Sequence, residues 1–148
     1  KDAISILGYS SAMEKIANHI NKYNVKVPFT VSSVITMSEG LDARGKVEIE
    51  RAFKTRVFSR YSNVENGIIA QQTINSNDYY IINTASYFIE ILDMDADVVL
   101  PNGNLGRIVV TDYFNKALPM LRYDTGDLGC KDVAFPAITS GLEGYPKD

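Results

Sequence analysis

"VSSVITMSEGLDARGKVEIERAFKTRVFS", residues 31–59, carries the fold. Val31 to Ile35 is rich in β-branched residues and reads as a strand. A Ser38-Glu39-Gly40 loop follows. Asp42 can then accept backbone N–H groups at the start of a helix whose Val47, Ile49, Ala52 and Phe53 recur at a spacing that turns them inward. Arg56 to Ser59 is a short buried strand. Strand, helix and strand in that order require a crossover connection, which makes the two strands parallel.

Upstream, Ser11 and Glu14 have the spacing of a capping box, and Met13, Ile16, Ala17 and Ile20 recur at helical intervals. Residues 9 to 60 therefore read as α-β-α-β. From about residue 66 the period changes. Ile68 to Ala70, Tyr79 to Ile82, Tyr87 to Leu92 and Arg107 to Thr111 read as short strands. They are separated by the turn clusters Asn75-Ser76-Asn77-Asp78 and Pro101-Asn102-Gly103-Asn104. The expected class is α/β: a parallel α/β-sheet subdomain over residues 1–65, then a small antiparallel, barrel-like β subdomain over residues 66–148.

The bulk properties exclude several function classes. At 148 residues the chain can bury a real core without metal or disulfide staples. A net charge of -3 with no basic stripe argues against a nucleic-acid partner gripped through its phosphates. No apolar run approaches the roughly 20 residues needed to span a membrane. Cys130 is the only cysteine, so no internal disulfide is expected and a reducing cytoplasm is the simplest home. His19 is the only histidine, which leaves a His-based triad without support. It is expected half-buried at the edge of the first helix's apolar stripe. The basic residues between Arg44 and Arg56 interleave with Glu48 and Glu50, as on a solvated helix face. Oligomeric state is left open. The first residue is Lys1 rather than Met, and the chain is expected to be a piece of a longer protein.

Three loops are candidate sites. In "LPMLRYDTGDLG", residues 118–129, a polar cluster directly follows an apolar run expected to belong to the core. It reads as a polar turn shaped by Gly126. It also reads as the Asp124-Thr125-Gly126 triplet of a retroviral-type aspartic protease. There the guanidinium of Arg122 beside the dyad would hold the aspartate ionised and spoil a shared proton. Thirdly, Asp127 could accept hydrogen bonds from a vicinal diol such as a ribose, one carboxylate oxygen to each hydroxyl. In "SRYSNVENG", residues 59–67, Tyr61 can stack on a flat base and Glu65 can take a hard cation. "TMSEGL", residues 36–41, ends the preceding strand and could rim the same pocket. Asp93, Asp95 and Asp97 imitate the start of a calcium loop. Val98 and Asn104 break that pattern, so an acidic turn is expected.

The order of these loops, with "GRIVVTD" (residues 106–112) ahead of "LPMLRYDTGD", resembles the adenylate-forming acid ligases. The similarity is greatest to the phenylacetate-CoA ligase branch and its relatives encoded with capsular polysaccharide enzymes. The resemblance runs from about residue 8 to 148. It implies an enzyme that uses ATP and Mg2+ to convert a small carboxylic acid to an acyl-adenylate and releases pyrophosphate, with coenzyme A as the acceptor of the acyl group. Carried over, it places Asp127 on the ribose of AMP, Tyr61 against the adenine, Ser62 and Asn63 in the same nucleotide motif, and Glu65 on magnesium. Ser38 and Glu39 match the loop lining the adenine side. Ser62 stands where the family has glycine, and Val64 where it has a threonine directed at the phosphate. The family's phosphate loop would lie before Lys1. Its lysine-bearing domain would follow Asp148, beyond a hinge entered through Leu142 to Asp148. No catalytic residue is therefore expected within these 148 residues, and alone they should not turn over ATP. A non-turnover nucleotide-binding relative in capsule synthesis is the alternative within the same fold.

Overall fold

The β-branched run and the Asp42 cap behave as their chemistry dictates in the computed structural model, which describes residues 3–76, 79–131 and 137–140. The chain divides into two units, Lys1–Arg60 and Tyr61–Asp148. The first contains β1 (Ala3–Tyr9), α1 (Ser10–Tyr23), β2 (Thr30–Met37), α2 (Ala43–Phe53) and most of β3 (Val57–Asn63). β2 pairs in parallel with β1 on one side and β3 on the other, so both crossovers carry a helix. Met13 and Ala17 of α1 and Ile49, Ala52 and Phe53 of α2 close over Val31, Val34 and Val57 of the strands. Each fully buried aliphatic side chain contributes about 1.5–3 kcal/mol of transfer free energy.

Asp42 caps α2, its Oδ1 accepting from Gly45 N at 2.6 Å. Val47, expected inward, is 59% exposed. Ile49, Ala52 and Phe53 define the buried stripe, and a residue two positions before Ile49 lies on the far side of a 3.6-residue turn. The capping box also fails to form. α1 begins one residue before Ser11, Tyr9 occupies the cap position, and no side chain caps the helix end there. Instead the Glu39 carboxylate, arriving from the β2–α2 loop, accepts from Ser11 N at 2.8 Å. β1, which the periodicity did not indicate, is an edge strand with Ile4 and Leu7 largely exposed.

The second unit is antiparallel. After the end of β3 come β4 (Gly67–Gln71), β5 (Tyr80–Ile82), β6 (Tyr87–Leu92), β7 (Leu105–Asp112), β8 (Tyr123–Lys131) and β9 (Ala137–Ser140). Their order in the sheet is β4-β5-β9-β8-β7-β6. Ile69 and Ala70 from one end of that order share a core with Tyr87, Ile89 and Ile91 from the other, along with Ile82, Ile108, Val110 and Ile138. A sheet whose end strands fill one core is rolled in the manner of a partial barrel.

The apolar run before the Asp-Thr-Gly-Asp segment is not part of the core. Leu118 and Leu121 are 58% and 73% exposed in the loop joining β7 to β8. The polar segment expected as a turn is strand β8 itself. Of the first turn cluster, Ser76 closes onto Thr73, its Oγ accepting from Thr73 N at 2.7 Å, while Asn77 and Asp78 lie outside the described residues. So does the expected hinge entry, Leu142 to Asp148. His19, expected half-buried, is exposed and lies against Tyr23, with ring centroids 4.8 Å apart. Among the described residues no helix is long and apolar enough to cross a membrane.

Candidate functional site

The chemistry concentrates on a bulge in β8. Arg107 of β7 pairs with Leu128, and Val109 pairs with Asp124. Two steps along β7 therefore face four along β8: Thr125, Gly126 and Asp127 lie opposite Ile108 alone, a surplus of two residues. Bulges of this kind bend a strand and redirect side chains, often beside functional sites. Gly126 makes the bend possible: its φ is +75°, and a Cβ there would meet nothing within 4 Å. Backbone shape, and not crowding, is what calls for glycine at this position.

Hydrogen bonds fix the bulge from within. Asp124 Oδ1 accepts from Gly126 N at 3.0 Å, and Thr125 Oγ1 accepts from Asp127 N at 3.2 Å. The Thr125 hydroxyl donates to Ile108 O at 3.0 Å, tying the bulge to β7. Asp124 Oδ2 is bound by the guanidinium of Arg107, which also donates to Asp93 O at 2.8 Å and Ala96 O at 3.3 Å. Arg122, expected beside this triplet, points elsewhere and pairs with Glu90 at 3.2 Å and Asp97 at 3.1 Å. The acidic turn is thus held by two arginines. Asp93 Oδ1 accepts from Asp95 N and Ala96 N, and among the described residues no cluster of His, Cys, Asp or Glu is suited to a metal.

Asp127 emerges exposed beyond the bulge, and Tyr61 meets it there. The Tyr61 hydroxyl lies 2.9 Å from Asp127 Oδ2 and 3.2 Å from Thr125 Oγ1. Its ring packs against the Ile-rich core of the second unit. Burial pushes the Tyr61 phenol above its ordinary ionisation range; the Thr125 hydrogen bond opposes it, and the Asp127 charge adds to the rise. The group is a proton donor at any ordinary pH.

Around the β3–β4 turn, Ser62 and Asn63 are half-buried at the end of β3. Asn63 Oδ1 accepts from Asn66 N at 2.7 Å, and its Nδ2 donates to Asn66 Oδ1 at 3.1 Å, so Asn63 shapes the turn. Val64 projects fully into solvent. Glu65 is exposed and lies beside the Tyr123 phenol, which burial and then the Glu65 charge push upward. The second unit thus brings Tyr61 and Asp127 into contact and sets Glu65 beside Tyr123. Ser38 and Glu39 belong to the first unit. Ser38 has a left-handed φ of 66°, and the Glu39 carboxyl is held below its usual range by hydrogen bonding to Ser11. Sequence reasoning gave Thr125 a place only in the protease triplet, and Arg107 and Tyr123 no role. Only a hydroxyl between two aspartates, and an arginine opening an otherwise apolar strand, marked the first two.

No family model matches the chain. Over 120 residues, 81% of this chain and 25% of the relative, it is 28% identical to protein CapK of Staphylococcus aureus. Over 60 residues, 40% of this chain and 14% of the relative, it is 40% identical to a phenylacetate-coenzyme A ligase of Pseudomonas putida. The chain therefore matches a quarter or less of the length of these curated relatives. Among solved structures, a 2-hydroxyisobutyryl-CoA ligase described in an open conformation with 2-HIB-AMP and CoA matches at a TM-score of 0.74. Identity there is 20%, over 86% of this chain and 31% of that one, a likeness of fold. Curated homologues thus include phenylacetate-CoA ligases and CapK, and structural neighbours are acyl-CoA ligases. The resemblance read from the sequence holds, with this chain corresponding to part of such proteins.

Proposed function

We propose that this chain, as part of the adenylate-forming ligases in their phenylacetate-CoA ligase and CapK branch, holds the nucleoside end of ATP. The enzyme would join a small carboxylic acid to AMP and then pass the acyl group to coenzyme A in the cytoplasm. The observation that carries this reading is the β8 bulge, which presents Asp127 at the surface with one carboxylate oxygen, Oδ1, unengaged among the described residues. A ribose offers two adjacent hydroxyl donors, and an ionised carboxylate is the acceptor that matches them. Tyr61 brings an aromatic ring to the same spot, and Ser62 and Asn63 continue the strand beside it. For Ser38 and Glu39 the support is the resemblance alone.

In the reaction proposed, a carboxylate oxygen of the acid attacks the α-phosphorus of ATP, the new phosphorus–oxygen bond forms, and pyrophosphate leaves. Fixed geometry and charge neutralisation supply most of such a rate. The part assigned to this chain is to bind and orient the nucleoside. Magnesium, when bound, would neutralise the phosphates. Glu65 offers it a single carboxylate, which suffices only where phosphate oxygens and waters complete the octahedron. No described residue is assigned to the β- and γ-phosphates, so the 148 residues alone should release no pyrophosphate from ATP, Mg2+ and a panel of aryl and fatty acids. Robust release would overturn that.

A second reading keeps nucleotide binding and drops turnover, in a protein serving capsule synthesis. The longer of the two curated matches, 120 residues against 60, is to CapK. Val64, fully exposed, also lacks the hydroxyl that the ligase motif directs at a phosphate. Both readings stand on Asp127. In the intact protein, Asp127→Ala should weaken AMP binding by about 1–3 kcal/mol, the cost of losing a hydrogen bond to a charged group. Unchanged affinity by calorimetry would remove the ribose role.

A further inference from the structure

The geometry points to the Tyr61 hydroxyl as the group that orients the Asp127 carboxylate for a vicinal diol, a positioning role distinct from any stacking by the ring; this rests on the nucleotide reading above.

A count of protons leads there. The Thr125 hydroxyl gives its one proton to Ile108 O, and its oxygen accepts from Asp127 N. The Tyr61 proton has two acceptors in reach, Asp127 Oδ2 at 2.9 Å and Thr125 Oγ1 at 3.2 Å, and the carboxylate is both the nearer and the stronger. Asp127 itself is exposed, so no packing fixes its side-chain rotamer. Among the described residues Tyr61 is the only partner of that carboxylate. The ring of Tyr61 is packed against the core built around Ile69, Ile89 and Ile108, so its hydroxyl is a fixed point and not a second mobile group.

Holding Oδ2 in this way turns Oδ1 into the open acceptor and leaves Oδ2 a second lone pair. Two adjacent hydroxyls can then be met without first ordering a free side chain. If the hydroxyl merely satisfied itself, its removal would matter equally to every ligand.

The test is calorimetric binding of AMP and of 2′,3′-dideoxy-AMP to the intact protein and to Tyr61→Phe, which keeps the ring in its packing. Wild type should prefer AMP. Tyr61→Phe should lose about 5- to 10-fold in AMP affinity, the scale of one hydrogen bond, and nothing for the dideoxy analogue. In an Asp127→Ala background the same change should have no further effect. Equal weakening of both ligands would mean that only the packing of the ring mattered, and that outcome overturns the proposal. Full retention of the AMP preference in Tyr61→Phe would also overturn it. A wild-type protein that binds both ligands alike would instead sink the ribose assignment beneath it.

Discussion

Arg107 and Asp124 close an ion pair between β7 and β8, and that pair separates the two aspartates of the Asp-Thr-Gly-Asp run in their chemistry. One oxygen of Asp124 is taken by Arg107 and the other by Gly126 N, so neither is open to share a proton with a second carboxylate. Asp127, the residue after the glycine-bearing bend, keeps an oxygen free among the described residues. The consequence is a division of labour in which Asp124 shapes the bulge and Asp127 meets the ligand.

This division predicts opposite outcomes for the two positions. Asp124→Asn retains one acceptor for Gly126 N and should leave AMP affinity nearly unchanged, whereas a peptidase dyad would be abolished by it. The wild-type protein should show no pepstatin-sensitive cleavage of peptide substrates. Arg107→Met should lower stability by only about 1 kcal/mol, because the pair is partly exposed and screened. Urea unfolding measures that loss. Pepstatin-sensitive cleavage would restore the protease reading.

The bulge is open to a separate test through Gly126. An alanine there meets no neighbour within 4 Å, so any cost comes from the left-handed φ of +75°. That cost is about 1–2 kcal/mol, met either as lost stability or as a rearranged bulge. Gly126→Ala should therefore weaken AMP binding together with a modest drop in the unfolding midpoint. An unchanged protein on both measures would mean that the bend does not depend on glycine.

What was legible in the sequence was local. The β-branched run at Val31 to Ile35 and the Asp42 cap are decided within a few residues, and both formed. Ser11 and Glu14 have the spacing of a local cap, in which Glu14 would accept from Ser11 N, yet the helix starts one residue earlier and Glu39 from a distant loop takes the Ser11 N–H. The Leu-Pro-Met-Leu run reads as core by hydrophobicity, but it joins two paired strands at a hairpin end where side chains face solvent. β8 escaped notice because its alternation is interrupted by the bulge, and only pairing with β7 reveals the two surplus residues. Tyr61 and Asp127 were each singled out separately. Their contact, 66 positions apart in the chain, follows from the sheet and from no local pattern.

Ionisation of Tyr61 supplies a prediction in alkaline solution. Burial, with the Asp127 charge behind it, raises the phenol above its unfolded value of 10.0. A raised value in the folded state means that the unfolded chain releases this proton first as the pH climbs. The associated stability is complete below the unfolded value and is lost progressively as the pH rises above it toward the folded one. Tyr87 and Tyr123 are shifted in the same direction, so they contribute to the same alkaline limb. Tyr61→Phe should therefore flatten that limb without abolishing it. Compared at pH 7 and about pH 11, the variant should lose less unfolding free energy than wild type, since a phenol with an ordinary pKa near 10 titrates across that interval only when unfolded. Identical losses in the two proteins would show that the Tyr61 hydroxyl ionises as freely in the folded chain as in the unfolded one, and its contact with Asp127 would have to be discarded.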